Sequence, residues 1–486
     1  MSIHAHLSPE AEDNLEAQRR NSMITSFIIA ILCVILVVLI LFFILLPSLN
    51  FGAPTIVTYT SGSEDDKKLQ EKRISREVSP KPNAPSSAMA KVLAATVPSP
   101  TAVPIPDIQA VPATEFGFRD DFGQGWGSGG DGGGGGFGKI PANMRKRCSK
   151  HARLTRLAKN GGSRECEEAV MKSLRWFKQT QQKDGSWGSG NQVAMTGLVL
   201  LAFLGHCETP LSEEFGEAVT NAIVYLVNRS VAQGGRLGTN LGNNHWVYEH
   251  GIATYALAES YIFCRVLGLN FPNLKVATQN GVQWIINNQN RSGGWDYGYA
   301  EAGGRGGDMS ITAWQLQALK AGRHTRLDFR NYAECVSRAL NYCASCQDGS
   351  GGFGYAGTAP NGSHHTLTGA GSLCFQQHKG TNNRNARAGV EYINKRSSFN
   401  YQTGPCNLYE HYYSSQAAMN HGGKAWLDYN KMFRDTLLQA QQGDGHWPSP
   451  PNPGPGAQGD PVYNTALSTL MLEVYYRFLP GTGFGL

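Results

Sequence analysis

The apolar positions of the C-terminal two thirds of the chain recur with a helical period, in blocks that resemble one another. One such block contains Leu174, Trp176 and Phe177, and it ends at a turn that contains glycine. Apolar residues spaced in this way form one buried face of a helix, and glycine ends a helix at little cost because it accepts left-handed dihedral angles. The pattern predicts a succession of helices joined by short turns.

Two series of residues repeat out of phase with each other along this region. In the first, a Gln is followed by Gly and then by an aromatic residue. Its members are Gln182 with Trp187, Gln289 with Trp295, Gln347 with Phe353, and Gln442 with Trp447, and a degenerate copy spans 233–236. In the second, a small or hydroxyl residue lies near the start of a long apolar helix. These anchor residues are Thr196, Thr254, Thr312, Thr368, Ser415 and Thr465.

The anchor residues are separated by 58, 58, 56, 47 and 50 residues, and a period near ~50 residues indicates a repeat architecture. Open solenoids usually carry polar capping repeats, whereas the first and last units here are as apolar as the others. We therefore predict an all-α (α/α)6 toroid over 140–486, with twelve main helices and with the anchor residues on the inner ring. A Tyr-Glu-His tripeptide also occurs twice, as Tyr248-Glu249-His250 and as Tyr409-Glu410-His411.

A different pattern occupies the N-terminus. Phe27–Leu46 contains no charged residue and no proline, and its 20 residues would span roughly 30 Å as a helix. A cleaved signal peptide usually has a shorter apolar region of about 7–15 residues. We expect an uncleaved transmembrane helix over 23–47. Arg19 and Arg20 precede it, so the positive-inside rule places 1–22 in the cytoplasm and the C-terminal domain outside it, in the periplasm if the envelope has two membranes.

Two linkers are predicted between this anchor and the helical repeats. Residues 48–116 carry nine prolines, which is typical of an extended spacer. Residues 117–139 carry 12 glycines, and such a stretch buries too little apolar surface to offset its chain entropy. Together they indicate a long, disordered tether.

Composition and charge narrow the classes of function. Aromatic residues make up 10% of the chain, which excludes a wholly disordered protein. The net charge of +6 comes from scattered basic residues, so we predict no nucleic-acid partner. Nine of the ten cysteines follow the predicted membrane helix. They show no spacing typical of a disulfide scaffold, and their redox state stays open.

The Gln-x-x-Gly-x-Trp units resemble the repeats of squalene and oxidosqualene cyclases and of protein prenyltransferase β subunits. The resemblance covers roughly 165–480, and the ending that contains Tyr463 is similar to that of bacterial squalene-cyclase-like proteins of unassigned function. It implies a terpenoid-cyclase-like toroid in which the Gln and the aromatic residue hold the outer helices together.

The residues that carry the chemistry of those families are missing. The sequence contains no Asp-x-Asp-Asp, whose central carboxylic acid protonates an alkene in class II cyclases. The Asp-x-Cys pair of the zinc prenyltransferases is also missing, because the corresponding turn reads Gly362-Ser-His-His-Thr366. The pair Cys343 and Cys346 has metal-ligand spacing, but one such pair is a weak signal. We predict neither a metal nor a cofactor.

An alternative chemistry is suggested by Asn243-Asn244-His245, which is followed by Trp246 and Tyr248. Polysaccharide lyases of the alginate-lyase type carry a similar motif on an (α/α) toroid. There the Asn neutralises a uronate carboxylate, while His and Tyr move protons. A turn with a capping Asn explains the same residues without any catalysis.

The residues four positions before the anchors are mostly polar, and we predict that they surround one mouth of the ring. They are Gln192, His250, Asp308, His364, His411 and Pro461. Asp308 is the candidate acid and His250 the candidate base, although Asp308 also suits a charge at a helix N-terminus. The candidate ligand-binding residues are His245, Trp246, Tyr248, Trp314, His364, His411 and Tyr463.

These observations predict a membrane-anchored, exported toroid that binds a lipophilic or polymeric ligand, such as a lipid or a glycan, without the standard chemistry of the family. A degenerate cyclase, a polysaccharide lyase and a non-catalytic module within an envelope protein complex remain alternatives.

Overall fold

A computed structural model describes residues 147–299, 306–358, 365–404, 406–451 and 459–477. These residues are mostly helical, and an isolated bridge joins Gln347 to Phe353. The predicted membrane helix, both linkers and His364 lie outside the described ranges. Within those ranges, no helix combines the length and the hydropathy needed to cross a bilayer.

The helices alternate between almost fully buried ones and amphipathic ones. In chain order they are α1 (Lys150–Lys159), α2 (Arg164–Thr180), α3 (Gln192–Gly205), α4 (Gly216–Ala232), α5 (Trp246–Val266), α6 (Leu274–Asn287), α7 (Met309–His324), α8 (Tyr332–Ser345), α9 (His365–Lys379), α10 (Arg384–Arg396), α11 (Leu408–His421), α12 (Gly423–Ala440), α13 (Pro461–Leu472) and α14 (Val474–Arg477).

The odd-numbered helices from α3 to α13 form a closed inner ring. Each packs beside the next one in this series, and α13 packs beside α3. The even-numbered helices α2 to α12 lie outside them, and α12 contacts α2 at the point of closure. The predicted six hairpins and the predicted ring closure are both confirmed. Each of the six anchor residues lies on an inner helix and is fully buried.

Four of the glycine-containing turns fasten one outer helix to the next. After α6, the side-chain amide of Gln289 donates to the carbonyl of Gly293 in its own turn and to that of Cys335 in α8, at 2.7 and 2.8 Å. After α8, Gln347 bonds in the same way to Gly351 and to Asn385 in α10. The turns therefore link neighbouring outer helices at carbonyl groups near their N-terminal ends.

The structure corrects the alignment of the first and last turns by one residue. Gln181 rather than Gln182 bonds to the next outer helix, at the Ala218 carbonyl of α4. Gln441 rather than Gln442 bonds to the Ala169 carbonyl of α2, so this bond joins the last unit to the first. Gln182 and Gln442 are both exposed, and their side-chain amides bond to carbonyl groups close in the chain. The true spacing from Gln to the aromatic residue is six in all four turns.

The two repeated series are joined by hydrogen bonds. The backbone N–H groups of Trp187, Trp295, Phe353 and Trp447 donate to the anchor hydroxyls of Thr196, Thr312, Thr368 and Thr465 at 3.0–3.2 Å. The indole N–H of each of the three tryptophans donates to a carbonyl ten residues earlier, at 2.8 Å. The anchor side chains therefore face outward, toward the turns.

The far end of the ring, at the C-termini of the inner helices, is covered by α1 and α14. A disulfide joins Cys148, just before α1, to Cys207, just after α3. Asn160 donates to the Tyr475 carbonyl at 2.7 Å, which fastens α1 to α14. The other seven described cysteines are buried thiols.

Candidate functional site

An open cavity of about 570 Å³ lies where the six inner helices begin. It is lined by Asn191, Ala194, Met195, Leu198, Asn243, His245, Tyr248, Glu249, Ile252, Tyr297, Ser310, Trp314, Tyr355, Thr366, Asn407, Tyr409 and Tyr463. Every inner helix contributes at least one of these residues. The inner helices therefore run parallel, with their N-termini around one mouth, and the cavity has the predicted location.

The phase of each inner helix selects which of its residues reach the cavity. Each residue of an α-helix is rotated by about 100° from the one before, so positions two residues from an outward-facing anchor point inward. Ala194, Ile252, Ser310, Thr366 and Tyr463 each lie two residues before an anchor, and all line the cavity. Leu198 and Trp314 lie two residues after an anchor, and Tyr248 and Tyr409 lie six before one.

Ser310, near the start of α7, joins two tyrosines that come from opposite sides of the ring. The hydroxyl of Tyr248, on α5, lies 2.8 Å from the Ser310 Oγ. The hydroxyl of Tyr409, on α11, donates to the Ser310 backbone carbonyl at 2.8 Å. A third phenol, that of Tyr297, lies 3.3 Å from the Tyr248 hydroxyl. The cavity wall thus carries a cluster of hydroxyl groups at the N-terminus of α7.

Asp308 lies directly behind this cluster, as the N-cap of α7. Its carboxylate accepts a hydrogen bond from the backbone N–H of Ser310 at 2.8 Å and another from the Ser310 hydroxyl. Asp308 is buried and does not line the cavity. The residue expected to be an acid is therefore a helix cap, and Ser310 joins it to the cavity wall.

Burial raises the pKa of the Tyr248 phenol well above its ordinary value, and the nearby Asp308 carboxylate raises this pKa further. The pKa of Tyr355 is raised by the same two causes. Both phenols therefore stay protonated at neutral pH, and they can donate and accept hydrogen bonds.

Two of the three histidines that the sequence places four residues before an anchor, His250 and His411, are turned away from the mouth. His250 is fully buried, and its Nδ1 accepts the backbone N–H of Leu237 while its Nε2 lies 3.1 Å from the carbonyl oxygen of Gly281. Burial lowers the pKa of His250 to about 4, so it is neutral at neutral pH. His411 contacts the Tyr429 hydroxyl of α12 through its Nδ1, at 2.6 Å.

Helical phase also explains why these histidines face away from the cavity. Residues four apart lie on one face of a helix, so a residue four before an outward-facing anchor also faces outward. Trp246, eight before Thr254, follows the same rule and packs on Trp284 and Tyr299 outside the cavity. A cavity lies at the predicted mouth, but His250, His411 and Trp246 do not line it.

Four of the remaining predicted residues line the cavity, and one lies outside the described part of the chain. Tyr248, Trp314, Tyr463 and His245 line the cavity, and His364 lies outside the described residues. The His245 ring stacks on Tyr248 with centroids 6.4 Å apart, and its Nδ1 lies 3.0 Å from the Asn243 side-chain oxygen. Asn243, His245 and Tyr248 of the lyase-like motif therefore meet at one part of the rim.

The polar groups of the rim include one carboxylate. Glu249 accepts hydrogen bonds from the backbone N–H and the hydroxyl of Thr239, at 3.1 and 2.6 Å. Burial raises the pKa of Glu249, and these hydrogen bonds oppose that rise.

Among the lining residues that the structure describes, none is Lys or Arg. The described chain also contains no cluster of three or more His, Cys, Asp or Glu that could hold a metal ion.

The fold and cavity together define a closed ring of helical hairpins with an aromatic and hydroxyl-rich site at one mouth. No protein-family model matches the sequence, and no curated protein matches it. The type II terpene cyclase MstE from Scytonema is similar over 65% of this chain and 98% of the cyclase, with 10% identity and a TM-score of 0.43. The α-1,6-mannanase GH76A from Salegentibacter sp. HEL1_6 is similar over 64% of this chain and 98% of the mannanase, with 12% identity and a TM-score of 0.48. Neither match assigns a ligand or a reaction to the present chain.

Proposed function

We propose that this protein is a membrane-tethered, exported toroid that binds a ligand in the cavity at the N-termini of its inner helices. The observation that carries the proposal is the cavity itself. It is open, its volume of about 570 Å³ suits a small ligand, and aromatic and polar side chains from all six hairpins converge on it.

Binding without the family's standard chemistry is supported by the residues at the cavity. The cyclase acid motif is missing from the sequence, and Asp308 is occupied as a helix cap. The tyrosines that replace it at the wall have raised pKa values, which makes them weak acids and suits them to hydrogen bonding. This chain supplies hydrogen-bonding groups and aromatic surface there.

The tether and the export rest on the N-terminal sequence, with support from the disulfide. Phe27–Leu46 is long enough to span a bilayer, and Arg19 and Arg20 favour a cytoplasmic N-terminus. Disulfides persist in exported compartments and are rare in the cytosol, so the bond between Cys148 and Cys207 agrees with an exported ring.

The binding proposal is tested by native mass spectrometry of the full chain, purified from membranes, before and after substitution at the rim. His245→Ala removes an exposed lining side chain, so the fold should be kept while a co-purifying ligand is lost or reduced. His151→Ala, at an exposed position on α1, is the matched control and should retain the ligand. Equal retention by both variants would contradict a ligand site at this mouth.

Cleavage of a uronate polysaccharide is the second candidate, because Asn243, His245 and Tyr248 line one part of the cavity. A lyase would release an unsaturated product that absorbs in the ultraviolet. Release that requires His245 would favour this candidate. No release, together with a retained ligand, would favour binding alone.

A further inference from the structure

The two Tyr-Glu-His tripeptides lie on inner helices on opposite sides of the ring, α5 and α11. Two other inner helices separate them in each direction around the ring, so they are related by half a turn. The units around them repeat in the same order. Gly197, next to the first anchor, packs against Ala253, and Gly369, next to the fourth anchor, packs against Ser414, which is the equivalent position five residues after the tripeptide tyrosine. The ring is therefore built from two similar halves of three hairpins each.

The three side chains of each tripeptide point in different directions, toward the preceding loop, the outer helices and the cavity. The glutamate holds the loop before its helix, since Glu249 bonds to Thr239 and Glu410 accepts from the Ser397 hydroxyl at 2.9 Å. The histidine bonds toward the outer layer, as described above for His250 and His411. Only the tyrosine lines the cavity in both tripeptides, because Glu249 also lies at the rim but Glu410 does not. The glutamate and the histidine therefore position the tyrosine.

The hydroxyl groups of Tyr248 and Tyr409 both bond to Ser310. Two phenols from opposite sides of the ring therefore meet at one residue. The position that corresponds to Ser310 in the other half is Tyr463, because each lies two residues before its anchor. A tyrosine at 310 would occupy the space that the two hydroxyls use. The short serine side chain thus makes room for a cluster of hydroxyl groups, with Trp314 one turn further along α7 on the cavity wall.

Among the described residues that line the cavity, none is Lys or Arg, and the Glu249 carboxyl group lies at the rim. An anionic ligand would therefore lose its hydration here without gaining a cationic partner, whereas a neutral ligand needs none. Phenol, serine and amide groups both donate and accept hydrogen bonds, which matches a ligand rich in hydroxyl groups. The aromatic rings offer apolar surface to its C–H faces.

We infer that the cavity binds a hexose unit of a neutral glycan, with Tyr248, Tyr409 and Tyr297 arranged around Ser310 as its recognition cluster. This inference rests on the proposed function, and it names the class of ligand. Ser310 is the specificity-determining residue, because its hydroxyl links the phenol of Tyr248 to the Asp308 carboxylate.

The experiment is isothermal titration calorimetry of the full chain in a detergent without a sugar headgroup. The probes are neutral hexose trisaccharides with mannose or glucose units, a trigalacturonate, and squalene as an uncharged lipid. We expect a neutral trisaccharide to bind and trigalacturonate to bind at least tenfold more weakly.

The variant Ser310→Ala should weaken trisaccharide binding about two- to tenfold, the range expected for one hydrogen bond. Tyr297→Phe should do the same. The controls are Ser260→Ala, a buried serine of α5 that bonds to its own helix, and Tyr332→Phe, whose hydroxyl bonds to Leu319 outside the cavity. Neither control should change the affinity. If Ser310→Ala does not fold, as judged by its circular dichroism, Tyr297→Phe alone decides the test.

The other outcomes separate this inference from the proposal on which it rests. Binding of trigalacturonate as tightly as the neutral sugar, or of squalene alone, would overturn the neutral-glycan inference and leave a ligand-binding toroid. Trisaccharide binding that is unchanged in both cavity variants would overturn the assignment to this cluster. If no probe binds and no ligand co-purifies with the full chain, the proposed function fails as well.

Discussion

Glu473 carries a carboxyl group that the ring buries completely. It follows α13, and neither of its oxygens has a hydrogen-bond partner among the described residues. Gly205 of α3 has no side chain at the point where the Glu473 carboxyl lies, so the two helix ends can approach. Burial raises the pKa of Glu473 to about 8, although Arg477 and His206 oppose this rise. The group is therefore mostly protonated at neutral pH.

This raised pKa predicts a pH dependence of stability that one substitution removes. The ordinary pKa is 4.5, so between pH 4.5 and about 8 the folded state holds a proton that the unfolded state has lost. The free energy of unfolding falls as the pH rises through that window, by up to about 1.4 kcal/mol per pH unit from this group. Glu473→Gln keeps the shape and should remove that slope.

The measurement is urea unfolding at pH 5 and pH 8.5. Glu473→Gln should gain stability relative to the wild type at the higher pH, by a few kcal/mol. Glu168→Gln, at an exposed position on α2, is the control and should follow the wild type. The same pH slope in Glu473→Gln and in the wild type would show that Glu473 ionises normally.

Glycine at one position of each turn is required for two reasons at once. Gly445 has a φ of 104°, which L side chains rarely adopt, and a Cβ there would lie 2.4 Å from the Lys172 carbonyl oxygen of α2. Gly445→Ala should lower the free energy of unfolding by about 2 kcal/mol or more. Gly443→Ala is the matched control, since a Cβ there meets nothing within 4 Å. Thermal unfolding that affects both variants equally would contradict this role.

At the scale of the elements, the turns act as links between outer helices. Gln441 donates to the carbonyls of Gly445 and Ala169, at 2.9 and 2.8 Å, and so joins the last hairpin to the first. Gln441→Ala should cost about 1–3 kcal/mol, because two carbonyl groups lose a donor. Gln442→Ala, one residue later and exposed, should cost much less.

Chemical denaturation of the two variants measures this difference. A larger loss for Gln442→Ala than for Gln441→Ala would restore the alignment taken from the sequence. The sequence left the choice open because each of these turns begins with two glutamines. Only the contact with α2 shows which amide reaches across.

At the scale of the whole molecule, the disulfide and the predicted membrane helix both indicate that the C-terminal domain is exported. A phosphatase fused after Leu486 should be active, because the C-terminus is expected to be exported. In protein from that compartment, peptide mapping should find Cys148 joined to Cys207, and the other seven cysteines of the described chain as thiols. An inactive phosphatase together with an active cytoplasmic reporter at the same point would reverse the orientation.

Removing the disulfide should weaken the covered end of the ring. The bond joins residues 59 apart in sequence, and closing such a loop typically stabilises a protein by about 2–4 kcal/mol. The double variant Cys148→Ser with Cys207→Ser should therefore unfold at lower denaturant concentration while the cavity end is kept. Cys406→Ser, a buried thiol elsewhere, separates this effect from the loss of a cysteine alone.

The sequence by itself determined the six hairpins and the closure of the ring, whereas α1 and α14 were not among the twelve predicted helices. Apolar spacing fixes the buried face of each helix, and the two repeated series count the hairpins. The position of the cavity also followed, since hairpins of one kind must place all inner-helix N-termini at one end. These features are local or periodic, so a single chain carries enough information to predict them.

Four of the side chains that line the cavity, those of His245, Tyr248, Trp314 and Tyr463, were predicted from the sequence, and only the tertiary structure decided the rest. The sequence does not show whether an anchor faces inward or outward. If the anchors are assumed to face inward, each inner helix is rotated by half a turn about its axis, and the predicted lining changes from Ser310, Tyr409 and Ile252 to His250 and His411. Once Thr312 is seen to accept a hydrogen bond from Trp295, the positions two and six residues before each anchor become the inner ones. The partnership of Tyr248 with Tyr409 likewise depends on ring closure, because residues 161 apart in sequence meet at Ser310 only when the last hairpin packs on the first.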